Sequence, residues 1–175
     1  MQSKHLLNTI ILILLFSSNF FSQNAESLLS SGRQKLINND IEGAILDFGK
    51  AIKLNPADPI AYIERSSAKD EKKDYKGAMA DLNKAIELKP NNTYAYIAYT
   101  NRALCKSNLG DNRGAVIDYT KSISIDPKNP AAYFGRGSVR FKLGLKEDAC
   151  LDWSKAGELG DENNDPYEMI KKHCN

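Results

Sequence analysis

The chain has 175 residues, 42% of them hydrophobic and 26% charged, the composition of a globular protein with material for one sizeable core. A formal net charge of +2, with no run of like charges, supplies no basic field for nucleic acid. Three cysteines (Cys105, Cys150 and Cys174) lack the C-x-x-C spacing of a zinc or thioredoxin-like site.

The N-terminus differs in kind from the rest. Lys4 and His5 precede a run from Leu6 to Phe16 interrupted only by Asn8 and Thr9, and a small, polar exit through Ser17, Ser18 and Ser22 follows. A positive start, an apolar stretch of about ten residues and such an exit describe a secretory signal over residues 1–24. The run is short for a membrane span, which needs about 20 apolar residues. The expectation is an exported protein, secreted or periplasmic, and the alternative is an uncleaved N-terminal anchor. No cysteine follows the run, so a lipid-modified N-terminus is not expected.

Beyond residue 25 a helical pattern recurs four times. A small residue (Ala44, Ala78, Ala115, Ala149) is followed after four positions by a large one (Phe48, Leu82, Tyr119, Trp153). After three more comes a second small one (Ala51, Ala85, Ser122, Ala156). Steps of three and four place each triplet on one stripe of an α-helix, small at the ends for close approach and bulky in the middle to fill the gap. The leading alanines are spaced 34, 37 and 34 residues apart, and Pro56, Pro90 and Pro127 stop the helices with the same spacing. Each unit also has a first helix, predicted over 26–38, 60–72, 97–109 and 131–143. Three of these open alike, with Tyr62 and Arg65, Tyr99 and Arg102, and Tyr133 and Arg136. The three extra residues of the third unit fall before Tyr99, around Thr93, Tyr94 and Ala95. A period near 34 with two helices per unit points to a stacked, all-α solenoid. The units span 25–58, 59–92, 93–129 and 130–163. Asp165, Pro166 and Glu168 then start a short helix over 164–175 that covers the last unit.

In these residues the chain resembles a tetratricopeptide repeat protein. Gly32, Ala44, Phe48, Ala51 and Pro56 carry the likeness in the first unit. Tyr62, Ala78, Leu82, Ala85 and Pro90 do so in the second; Tyr99, Ala103, Ala115, Tyr119 and Pro127 in the third; Tyr133, Gly137, Ala149, Trp153 and Ala156 in the fourth. It departs from the family where Lys35, Lys69, Lys106 and Arg140 replace an aromatic of the first helix, and where Asp161 replaces the last proline. The resemblance implies a right-handed α-solenoid whose first helices line a concave groove that contacts peptides. Carried over by position, the groove residues are Leu29, Arg33, Ile60, Ile63, Ser67, Asp70, Ile97, Thr100, Leu104, Phe134, Ser138 and Phe141. The lysine and asparagine clamp by which some relatives hold a carboxylate is not present at these positions.

The chemistry-bearing residues argue against catalysis. His5 and His173 stand apart from any nucleophile–carboxylate set, and there is neither a phosphate-cradling loop nor a metal-ligand spacing. No cofactor, metal or small-molecule substrate is therefore expected. The recurring arginines (Arg65, Arg102, Arg136) read either as a grip for acidic ligands or as a ladder with Asp81, Asp118 and Asp152; equal repetition of both signs favours the ladder. Cys150 and Cys174 read as a disulfide pinning the terminal helix or as two reduced packing thiols; a redox or metal site of Cys150, His173 and Cys174 is a third reading that lacks a fourth ligand, and Cys105 reads as a buried small hydrophobe. The expected partner is a protein or peptide, and self-association through residues 26–36 or the terminal helix is an alternative.

Overall fold

A computed structural model describes residues 23–88, 92–161 and 164–174, with the side chains of 92 and 93 excepted. The apolar N-terminal run and Pro90 lie outside the described residues. The described residues form nine helices and no strand. They are α1 (23–37), α2 (Ile41–Leu54), α3 (Pro59–Glu71), α4 (Tyr75–Glu87), α5 (Asn92–Asn108), α6 (Asn112–Ile125), α7 (Pro130–Lys142), α8 (Lys146–Glu158) and α9 (Pro166–His173). Consecutive helices pack as antiparallel hairpins, α1 with α2 through α7 with α8. In addition α3 touches α5, and α5 touches α7. No second helix makes a comparable contact with the next second helix among the described residues. The first helices therefore lie on the inside of the curve.

The triplets form the seam of each hairpin. Ala44, Ala78, Ala115 and Ala149 are fully buried, and so are Phe48, Leu82 and Trp153, while Tyr119 is 3% exposed. The facing position on the first helix is matched in size to the bulky residue. Gly32 faces Phe48, whose Cε1 would lie 2.5 Å from any added Cβ; Gly137 faces Trp153, whose Cδ1 would lie 2.9 Å away. Ser66 and Ala103 occupy the same position opposite Leu82 and Tyr119, and the Tyr119 ring instead reaches Gly135 of the next unit.

Capping sets the hairpin turns. Asp40, Asp74 and Asp111 each accept a hydrogen bond from the amide three residues on, at Gly43, Gly77 and Gly114. An added Cβ at any of these glycines would lie 2.1 Å from the capping carboxylate, so aspartate and glycine form a coupled pair. The fourth unit replaces both at once, with Leu145 and Asp148, and has no side-chain cap. Each turn passes through one left-handed residue: Asn39, Lys73, Gly110 and Gly144, with φ of 60°, 63°, 87° and 80°. The extra residues of the third unit lengthen its first helix, so α5 has 17 residues where α3 and α7 have 13.

At the far end Asp165 accepts from the Glu168 amide at 2.9 Å and Pro166 opens α9. A disulfide joins Cys150 on α8 to Cys174 just beyond α9. The His173 ring packs on Phe141, centroids 4.4 Å apart, and on Trp153, 6.0 Å apart.

Lys73 is the one turn residue whose side chain gains nothing from the left-handed region, which costs an L-residue about 1–2 kcal/mol. Lys73→Gly removes that strain at some cost in unfolded-chain entropy. The expected result is a stability gain of about 0.5–1 kcal/mol in urea unfolding at unchanged slope.

Candidate protein-interaction surface

The recurring arginines point away from any ligand. Arg65, Arg102 and Arg136 each make a two-pronged pair with the aspartate 16 residues on, Asp81, Asp118 and Asp152, at 2.6–2.9 Å. The tyrosine three residues earlier packs beside each guanidinium, 5.3–5.9 Å from ring centre to Cζ. Arg102 and Arg136 also donate to Asn83 and Thr120 on the preceding second helix, so each guanidinium clips neighbouring units together. This is the ladder, not the grip.

The basic residues that replace the family's aromatic belong to the same ladder. Lys69, Lys106 and Arg140 reach Asp81, Asp118 and Asp152 at 2.6–2.7 Å, so each of these buried carboxylates carries two cations. In the first unit Lys35 reaches Asp47 at 2.6 Å, and Ser31, standing where the other units have arginine, donates to it at 2.7 Å. The lysine bond, reinforced by Ser31 and Lys50 and opposed by burial, lowers the Asp47 carboxyl to about 2.

The residues carried over to the groove divide into three groups. Leu29 and Ile63 are in the core, 5% and 7% exposed, which corrects their placement as contact residues. Leu29 belongs to the cluster of Phe48 and Ala61, and the cluster holding Ile63 is covered by Tyr94 and Ile97 from the lengthened start of α5. Arg33 is exposed but paired with Glu64 at 2.8 Å, and Ile60 packs half-buried against the first cluster. The others, apart from Ile97 and Phe141, gather at two clefts. Between α5 and α7 a 350 Å³ cleft is lined by Thr100, Leu104, Phe134 and Ser138, over Tyr119 and Val139. Between α3 and α5 a 170 Å³ pocket is lined by Ser67, Asp70 and Leu104 together with Ser66, Asn101 and Cys105. Asn101 and Leu104 belong to both, so the two are continuous along the inner face. Phe141 lies at the end of this face against Trp153, 5.6 Å between centroids.

Ser66 and Cys105 border the pocket from buried stripes, each 1% exposed, so Cys105 is the buried small residue that the helical pattern predicts. Burial, with the Asp70 charge and hydrogen bond beside it, pushes the Cys105 thiol up to about 12, so it is inert at neutral pH. Among the described residues no group of three or more His, Cys, Asp or Glu side chains could hold a metal ion.

The tetratricopeptide repeat model matches residues 60–92 and 96–129. That stretch carries tetratricopeptide repeats. Solved tetratricopeptide structures resemble the chain over most of its length. The first repeat domain of Spaghetti (RPAP3), bound to the HSP90 peptide SRMEEVD, is 26% identical, with 70% of this chain and 95% of that one covered and a TM-score of 0.66. MamA is 28% identical, with 79% and 80% covered and a TM-score of 0.70. The APC/C hetero-tetramer Cut9–Hcn1 shares the fold at 14% identity, with 85% of this chain and 29% of that one covered and a TM-score of 0.77. No curated protein matches the chain.

Because its folded-state value is depressed, Asp47 contributes stability that is present above about pH 3.8 and is lost as pH falls towards about 2. Unfolding free energy of the wild type is expected to decline across that window. In Asp47→Asn, acid titration followed by circular dichroism should show a shallower decline there from a lower starting stability.

Proposed function

We propose that the chain is an exported protein-interaction scaffold that holds an extended peptide, or one face of a partner helix, across α3, α5 and α7. The observation that carries this reading is the cleft between α5 and α7, where Thr100, Leu104, Phe134 and Ser138 stand over an apolar floor. A row of clefts on successive helices suits an elongated ligand that places alternate side chains in them. Because the groove is built on rigid hairpins, little ordering entropy is lost on binding, and modest contacts give useful affinity. That the similarly folded Spaghetti repeat domain binds a peptide supports a peptide ligand here. Export is supported by the signal-like residues 1–24 and by the Cys150–Cys174 bond, since disulfides persist in oxidising compartments.

The test is affinity capture from the native envelope with the full chain and with Phe134→Glu, checked for equal thermal unfolding. A charge in the cleft wall should reduce partner recovery at least tenfold. Equal recovery by both versions would remove the groove from the account.

A further inference from the structure

The pocket between α3 and α5 has an unusual balance of polar groups. Ser66 and Ser67 both donate their hydroxyl protons to the Ile63 carbonyl, at 2.6 and 3.2 Å, which leaves only oxygen lone pairs to face the pocket. Ser66 is 1% exposed, so water does not readily serve those lone pairs. Asp70 stands half-buried in the wall and Glu71 at the rim. The Cys105 thiol lies 3.6 Å from Asp70 Oδ1, a weak donor set against a full negative charge. No lysine, arginine or histidine lines the pocket. Several cations close in sequence are engaged elsewhere: Arg65 and Lys69 with Asp81, Lys72 with Glu42, and Arg102 and Lys106 with Asp118.

The contrast with the ladder is sharp. Asp81, Asp118 and Asp152 are buried with two cations each, whereas Asp70, partly withdrawn from water, has none among the described residues. Burial accordingly pushes its carboxyl above the ordinary range. Against the acceptors of Asp70, Glu71 and the two serines stand only the neutral Asn101 amide and the weak Cys105 thiol as donors, and such a site is completed by a group with several N–H bonds and a positive charge. The neighbouring cleft, which shares Leu104 and Asn101, offers Phe134, Tyr119 and Val139 to an apolar group.

We propose that the α3–α5 pocket is a specificity pocket for a lysine or arginine side chain of the bound partner, with an apolar partner residue entering the α5–α7 cleft. This rests on the groove reading above and adds the chemistry of the ligand to it. Packed helices lie about 8–10 Å apart, and an extended chain advances about 3.3 Å per residue. The basic and apolar residues are therefore spaced two to three apart in the partner. A cation in the pocket replaces its hydration with Asp70, Glu71 and the serine oxygens, and an acidic side chain is repelled.

The test is selection of a random 12-residue phage-displayed peptide library on the full-length protein, followed by titration of a selected peptide. Peptides with Lys or Arg two or three positions from an apolar residue should be enriched. Asp70→Asn, which keeps the size of the side chain, should weaken a selected peptide at least tenfold and flatten its salt dependence. Replacing the peptide's basic residue by methionine should weaken wild-type binding as much, with no change to the protein, and should have little further effect on Asp70→Asn. Enriched peptides that lack the basic residue, or that bind Asp70→Asn as tightly while losing affinity for Phe134→Glu, would overturn the pocket and leave the groove standing. Failure to enrich any peptide sensitive to Phe134→Glu would overturn both.

Discussion

Everything in this molecule follows from how closely two helices can approach within a hairpin. The bulky residue of each second helix is buried where the first helix carries a small one. Phe48 and Trp153 lie against glycine, Leu82 stands opposite serine, and Tyr119 stands opposite alanine with its ring turned to Gly135 of the next unit. Protein interiors are packed to the density of organic crystals, so a methyl group too many at such a contact has nowhere to go. Hairpin geometry is thereby set mostly within each unit, with Tyr119 also packing on Gly135 of the next. With the hairpins fixed, their stacking leaves the first helices on the inner face.

Charge acts on a second level, as register between units. Asp81, Asp118 and Asp152 each draw a guanidinium and a further cation inward, and the guanidinium also reaches the preceding unit in two of three cases. Such groups specify an arrangement more surely than they add net stability, because desolvation opposes the attraction. One functional consequence follows. The lysines that replace the family's aromatic turn towards these aspartates, so they add little positive charge to the inner face. Among the described residues Asp70 is left there without a cation partner, beside an apolar cleft.

The sequence carried most of this architecture plainly and the depth of its surface poorly. The 34-residue recurrence of Ala44, Ala78, Ala115 and Ala149 announced paired helices, and the equal recurrence of Arg65 and Asp81 with their counterparts announced the ladder. Depth was harder to read, because helical spacing gives the face on which a residue lies and not what covers it. Leu29, Ile63, Thr100 and Phe134 occupy one repeated position, yet the first two are core and the last two line a cleft. The difference at Ile63 comes from the lengthened α5, whose Tyr94 and Ile97 close over its cluster. Cavities were invisible in the pattern for a related reason. The α3–α5 pocket exists because Ser66 and Cys105 are smaller than the space around them, a relation between helices rather than within one.

The size reciprocity of the seam is open to direct measurement by a double-mutant cycle in the first hairpin. Gly32→Ala, Phe48→Leu and the double variant would be compared by equilibrium urea unfolding. Alone, Gly32→Ala should cost more than 1 kcal/mol, roughly the overpacking range, because its Cβ meets the Phe48 ring at 2.5 Å. Joined to Phe48→Leu, it should cost at least about 1 kcal/mol less than the sum of the two single changes. Additive losses would mean that Gly32 and Phe48 do not set each other's size, and the packing account of the solenoid would fail.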